Sequence, residues 1–379
     1  MWLYWTMYLL PAGAALFAGR SGRGAAMREM APSFTWGSVW LALTIVIGYR
    51  YRVGADWLNY LAQMEAIGGL SLGDILTKSD PGYGALNWLS VEMGWYIYGV
   101  NLICGGVFAF GLIAFCRTQP RPWLALSVAI PYLAIVVAMG YSRQGVALGL
   151  EMLGLIALSR GSTIEFVGWL ALAATFHKSA IVVLPIAALA GARNRYLTIA
   201  WVAVVGVALY LQFLAKDVDY FYKNYIEAQY QSEGAMIRLL MNALPAALFL
   251  IWRKRFDFGH AQARLWTYFA LLSLVMPFVV LASPSSTAVD RIALYLLPLQ
   301  LVVFARWPDV VVNRGARGVQ KEPIRRSSER FGSADKETSL ILVSSVLLYY
   351  GIVEFVWLNF AKLSITWLPY RFYPLEDSF

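Results

Sequence analysis

The chain has 379 residues, 59% of them hydrophobic and only 14% charged, with a net charge of +9 and a mean hydropathy of +0.58. Soluble chains carry roughly 25% charged residues, so this composition excludes a soluble globular protein, and 15 Trp with 22 Tyr suit a chain that meets many lipid-water boundaries. The basic surplus implies no nucleic-acid partner, because in a polytopic membrane protein the placement of basic residues matters more than their sum.

Apolar runs bounded by Arg, Pro and Gly clusters predict an all-α chain of about twelve transmembrane helices, at 2-19, 34-49, 94-115, 123-140, 144-159, 163-176, 179-192, 196-214, 236-252, 264-282, 291-305 and 339-358. They form one transmembrane domain over 1-379, with an outer loop at 50-93, an outer aromatic loop at 216-235, a flexible cytoplasmic loop at 306-338 and an outer tail at 361-379. The first run is apolar from Trp2 and meets its first basic residue at Arg20, the reverse of a signal peptide, so it is expected to remain as a span. Cys104 and Cys116 share one apolar run, roughly 18 Å apart along a helix and too far for a disulfide, and are assigned to packing.

The two shortest runs, 163-176 and 179-192, are read as a hairpin. With an outside N-terminus, the hairpin puts twenty of the 31 basic residues in cytoplasmic loops, whereas a single crossing puts nineteen outside, against the positive-inside rule. Both termini are then outside. A helix from Thr163 to Phe176 rises only about 21 Å against a hydrocarbon core of roughly 30 Å, so its tip, His177-Lys178, should end below the outer surface. Irregular backbone at that depth survives where it is enclosed by protein or lines a watery cavity, which predicts an outward-facing polar cavity.

Polar segments on the outer side follow in chain order. Arg50 to Tyr60 places two guanidinium groups and the Asp56 carboxylate where a span leaves the membrane, either as an interfacial anchor or as an anion site with an adjacent base. Asp80-Pro81-Gly82-Tyr83 is strong turn chemistry, and Asp80 could equally bind sugar hydroxyls. Arg143-Gln144 precedes the small-residue run Gly145-Val146-Ala147, which permits close helix contact, and a guanidinium there matches phosphate oxygens. His177 and Lys178 occupy the hairpin tip; a lone histidine is often structural, but ionisable groups at membrane depth usually have a task. Asp290-Arg291, with Tyr295 one turn on, begins the eleventh span, either as an in-helix ion pair or as part of a site. Glu151 and Glu354 lie within spans, as a proton path or as paired groups. The aromatic loop, with Tyr220, Tyr222, Tyr225 and Tyr230, reads first as an interfacial helix, and stacking on sugar rings is the alternative. No two-His or Cys-His spacing suits a metal, and no cofactor is implied. Arg52, Arg143, Lys178 and Arg291 come from distant segments yet share the outer side, which suits a lipid-borne polyanion such as a diphosphate.

The order of Arg-Val-Gly-Ala-Asp-Trp-x-x-Tyr (52-60), Asp-Pro-Gly-Tyr (80-83), Arg-Gln-Gly-x-Ala (143-147), Phe-His-Lys-Ser-Ala (176-180) and Asp-Arg-x-x-x-Tyr (290-295) resembles the EpsG family of exopolysaccharide polymerases, similar in role to Wzy polymerases. The resemblance covers roughly residues 35-300. Asp80 stands where the family commonly has Glu, and Ala55 where it has a small hydroxyl or Gly. The resemblance implies a GT-C-type glycosyltransferase architecture and an undecaprenyl-diphosphate-linked oligosaccharide substrate. On that basis the chain is expected to be a metal-independent polysaccharide polymerase acting on the periplasmic side of the bacterial inner membrane. Arg52, Arg143 and Arg291, helped by Lys178, would hold the leaving diphosphate, and His177 or Asp56 would act as base. Tyr60, Asp80, Tyr83, Gln144, Asp290 and Tyr295 would bind diphosphate or sugar. Partners would be the lipid-linked repeat, the growing polysaccharide, and chain-length or export proteins. Alternatives are a lipid-linked oligosaccharide flippase using Glu151 or Glu354, a non-catalytic subunit of a polysaccharide machine, or an O-antigen ligase-like transferase.

Overall fold

A computed structural model describes residues 1-20, 33-77, 80-186, 232-312 and 333-376, with single positions between 200 and 207. Among these residues the fold is all-α, and the one β-type contact is an isolated antiparallel bridge between Arg50 and Phe372. The helices are α1 (Trp2–Arg20), α2 (Ser33–Gly48), α3 (Trp57–Glu65), α4 (Leu72–Leu76), α5 (Pro81–Glu92), α6 (Tyr96–Arg117), α7 (Pro122–Ala138), α8 (Ser142–Ser159), α9 (Thr163–Phe176), α10 (Ala235–Trp252), α11 (His260–Ala282), α12 (Ser286–Ala293), α13 (Pro298–Val312), α14 (Ser333–Phe360) and α15 (Tyr373–Glu376).

Four of them carry segments long and apolar enough to cross a membrane: Tyr96–Arg117, Ala235–Arg255, His260–Ala282 and Asp335–Phe360. Ser286–Leu296 and Pro298–Val312 make a fifth crossing if taken together, although they meet at 45°. Pro298 explains that break, since its ring and missing N–H prevent continuation of the preceding turn. Three apolar helices are shorter: Ser33–Gly48, Pro122–Ala138 and Thr163–Phe176. Four or five such crossings is thus what length and composition support among the described residues, against the twelve expected. The expected run 196-214, the end of 179-192, most of the aromatic loop and the middle of the 306-338 loop lie outside them.

α11 and α14 leave apolar side chains such as Phe278 and Leu348 facing outward. Water does not tolerate an apolar belt of this kind, and lipid does. α8 is the opposite case, buried along almost its entire length between α6 and α9. Glycines permit that: a Cβ at Gly111 of α6 would collide with the Gly149 carbonyl oxygen of α8, and one at Gly149 would stand 2.8 Å from the Phe108 Cα. Close backbone approach of this kind is how helices pack when lipid supplies no hydrophobic drive. Gly111→Leu should therefore force the two helices apart and destabilise the protein by about 1–3 kcal/mol. A lowered unfolding temperature in detergent is the expected reading, and an unchanged one contradicts the contact.

Inside the bundle, buried polar groups bond to one another. Asn242 of α10 donates to Ser273 of α11 (2.9 Å), Gln300 of α13 donates to Asn242 (3.2 Å), and Tyr350 of α14 donates to Gln300 (2.6 Å). Glu151 and Glu354 are different: both are buried, and no carboxyl oxygen of either has a hydrogen-bond partner. They are not paired with each other.

Two local features prepare the site. The second half of α7, Ile130–Ala138, is wound as a π-helix, whose wider turn accommodates Pro131, a residue with no N–H to give. α9 stops after 14 residues at His177, whose extended backbone leads into a 3₁₀ turn at Lys178–Val182, the short tip that the sequence places below the surface.

Candidate active site

The polar residues singled out along the sequence converge at one end of the bundle, around the N-terminus of α8. Gly145 makes this convergence possible. A Cβ there would sit 3.1 Å from the Ala138 Cα, so α8 starts hard against the end of α7 and carries Arg143 and Gln144 into the cluster.

Arg143 is the hub. Its Nη1 donates to Asp80 Oδ2 at 2.9 Å, and its guanidinium carbon lies 5.9 Å from the Tyr60 ring centre and 5.7 Å from that of Tyr83. The two rings are 5.8 Å apart, so the cation rests against an aromatic pair in addition to its carboxylate. Asp80 holds a left-handed backbone (φ 54) immediately before Pro81 begins α5. Such a conformation is tolerated best by Gly, Asn and Asp. The first turn of α5 then packs on the end of α9, where a Cβ at Gly82 would strike Thr175. This contact brings the second Asp80 oxygen within 3.3 Å of the Lys178 backbone N–H, which donates to it. Asp80 thus joins three elements. Burial raises the pKa of its carboxyl, while Arg143 and Lys178 pull it down.

His177 lies beside this pair. Its Nδ1 is 2.6 Å from the Ser179 hydroxyl, which donates to the Tyr295 hydroxyl at 3.1 Å. The hydroxyl chain holds the ring through Nδ1, and in the tautomer that donates Nδ1–H to Ser179 the Nε2 lone pair is available to accept a proton.

Arg291 completes the cluster. It approaches Asp56 at 3.7 Å, lies 5.0 Å from the Tyr141 ring centre, and donates from Nη1 to Gln144 Oε1 (3.4 Å), while Gln144 Nε2 donates back to the Arg291 carbonyl (2.8 Å). Asp56 also accepts from Asn59 at 3.4 Å. The site is therefore two Arg-Asp pairs, Arg143-Asp80 and Arg291-Asp56, joined through Gln144, with the His177-Ser179-Tyr295 chain alongside.

One expectation needs correction, and one residue lies apart from the cluster. Asp290 and Arg291 do not form an in-helix pair, because adjacent helical residues face different directions. Asp290 instead accepts from Arg238 Nε at 2.9 Å and Nη2 at 2.6 Å, and from Ser232 at 2.9 Å, which fastens the start of α10 to α12. It is taken up by that clamp rather than open to sugar. Arg52, expected among the diphosphate ligands, is exposed, with a left-handed backbone (φ 51), and its guanidinium stacks on Tyr51 at 5.1 Å. Arg50 is the one turned inward. It is 1% exposed and donates to Asn101 Oδ1 at 3.0 Å and to the Ser142 hydroxyl at 2.7 Å, so it braces the residue just before Arg143.

Sequence reading missed Arg238, Ser179, Tyr141, Asn101 and Ser142 as participants. Ser179 and Ser142 were adjacent to chosen residues and could have been included on that ground; Arg238 had no local signal. Among the described residues, no three His, Cys, Asp or Glu side chains cluster so as to hold a metal ion. A cavity of about 140 Å³ lies at the other end of the bundle, against Arg306, Gln119 and Ser159, where α6 and α8 present their C-terminal carbonyls. Arg306 there donates to Gln119 Oε1 and lies 4.8 Å from the Phe258 ring centre, and it takes no part in the cluster.

Compared with known proteins, the chain matches the EpsG family over residues 34–316, a span that contains every member of the cluster. No curated protein and no solved structure matches it.

Proposed function

The chain belongs to the EpsG family, which implies a membrane polysaccharide polymerase-like role, and from that premise we propose that it joins undecaprenyl-diphosphate-linked oligosaccharide repeats on the periplasmic face of the bacterial inner membrane. A bundle of about twelve crossings with a GT-C-like arrangement and both termini outside is part of the same proposal. The observation that carries it is the pair of half-buried arginines, each facing an aspartate, beside a histidine held through its Nδ1.

The reaction is substitution at an anomeric carbon. The acceptor hydroxyl oxygen forms a bond to that carbon, the bond from carbon to the diphosphate oxygen breaks, and its electron pair leaves with the lipid diphosphate. Negative charge grows on the leaving group, so guanidinium groups already held in place stabilise the transition state more than the ground state. Arg143 and Arg291 serve this role, with Lys178 beside them, and Arg52 stands where it could meet the substrate from the exposed side. The acceptor's proton passes to His177 Nε2. Asp56, held by Arg291 and Asn59, is assigned to binding sugar or to orientation. Tyr60 and Tyr83, both buried, back the Arg143 guanidinium on its side away from the substrate, and burial keeps both phenols protonated.

The deciding experiment is incubation of the purified protein with a defined lipid-diphosphate repeat unit in metal-free buffer, followed by product sizing. A ladder of polymer is expected. Unreacted single repeats sink the proposal, and transport of intact repeats across a vesicle membrane without polymer would favour the flippase reading instead.

A further inference from the structure

The C-terminal tail, beyond the family match, packs behind the cluster. Tyr51 N–H donates to the Arg371 carbonyl (2.9 Å), Tyr373 N–H to that of Tyr49 (2.8 Å), and Gly54 N–H to that of Thr366 (3.0 Å). The tail therefore runs along the segment that leads to Asp56. Trp367, 1% exposed, is its deepest residue. Its Nε1 donates to the Ile135 carbonyl in the π-wound half of α7 at 2.8 Å, and its own carbonyl accepts from the Tyr4 hydroxyl at 2.8 Å. A Cβ at Gly140 would stand 2.6 Å from its ring.

Gly54 closes the stack. At φ +106 it occupies backbone space that suits glycine, and a Cβ there would be 2.9 Å from the Met139 carbonyl and 3.2 Å from the Gly140 Cα. Tail, Gly54 and the Met139-Gly140 turn are thus in direct succession, two residues before Asp56 and three before Arg143.

We infer that Trp367 is a positioning residue of the active site: by filling the space against Gly140 and bonding Ile135, it sets the turn from which α8 projects Arg143 and Gln144. The inference rests on the proposed polymerase reading for its kinetic consequence and on geometry alone for its structural one.

Full-length purified protein serves for the test. Trp367→Ala should lower kcat by about tenfold, with a smaller change in KM, because a displaced arginine loses what it does chiefly in the transition state. Trp367→Phe, which keeps an aromatic ring but is smaller than the indole and lacks its N–H, should recover part of the rate. Gly140→Ala attacks the same contact from the other side and should lower kcat in the same direction if Trp367→Ala does not fold. Added to Arg143→Ala, the Trp367→Ala change should cost little more, and a full further tenfold loss overturns the inference. A second readout needs no turnover: Arg143→Cys should react with a membrane-impermeant maleimide at a rate that Trp367→Ala changes by about fivefold. Equal rates overturn the inference. A changed rate in the cysteine variants, together with an unsubstituted protein that makes no polymer, refutes the proposed function and leaves the positioning role standing.

Discussion

Arg143→Ala should reduce polymer formation by about 10²–10³-fold while lipid-linked single repeats accumulate. The size of the loss follows from where the guanidinium sits. It is held by Asp80 at 2.9 Å and flanked by two aromatic rings, so no reorganisation is needed when charge develops on the leaving diphosphate. Removing it also strands Asp80, a buried carboxylate, against the Lys178 backbone N–H. Arg143→Lys should recover only a small part of the rate, since an ammonium supplies a point charge without the planar fork that matches phosphate oxygens. Product sizing and initial rates on equal amounts of folded protein check this. Normal chain length in Arg143→Ala would remove Arg143 from the mechanism.

The second large effect is expected at His177. Its replacement by alanine should cost about 10²–10⁴-fold, the usual worth of a positioned general base. The Ser179 hydroxyl, itself bonded to the Tyr295 hydroxyl, holds Nδ1. Ser179→Ala should therefore give a smaller loss, on the order of tenfold, because the imidazole loses the hydroxyl that orients it and remains in the site. Added imidazole should restore part of the His177→Ala rate and none of the Arg143→Ala rate. Asp56→Asn divides the two candidate bases: a modest loss with an unchanged pH profile leaves His177 as the base, whereas loss of the basic limb transfers that role to Asp56.

Much of the site's membership was legible because its residues break a strong rule. A charge at membrane depth is costly and so conspicuous, which marked Arg143, His177 and Lys178. The shortness of α9 was readable from Thr163 to Phe176 by rise per residue alone. Pairing was not legible. Arg50 and Arg52 differ by two positions in the same apolar-to-polar boundary, and nothing local says which turns inward; left-handed φ at Arg52 and the bridge from Arg50 to Phe372 decide it. Asp290 and Arg291 are neighbours in sequence and diverge in space, one to Arg238 and one to Asp56.

The sequence by itself determined that this is an all-α membrane protein with a short helix that ends at His177-Lys178 and with arginines at the ends of its apolar runs, and it carried the motifs of the EpsG family. Those features depend on composition, hydrophobic period and the cost of burying charge, all of which act over a few turns of chain. Only the tertiary structure decided which arginine meets which aspartate, that Arg238 takes Asp290, and that Trp367 reaches Gly140 from the far end of the chain. These contacts depend on close backbone approach at Gly54, Gly82, Gly140 and Gly145, and a one-dimensional pattern contains no measure of which distant segments will use that space.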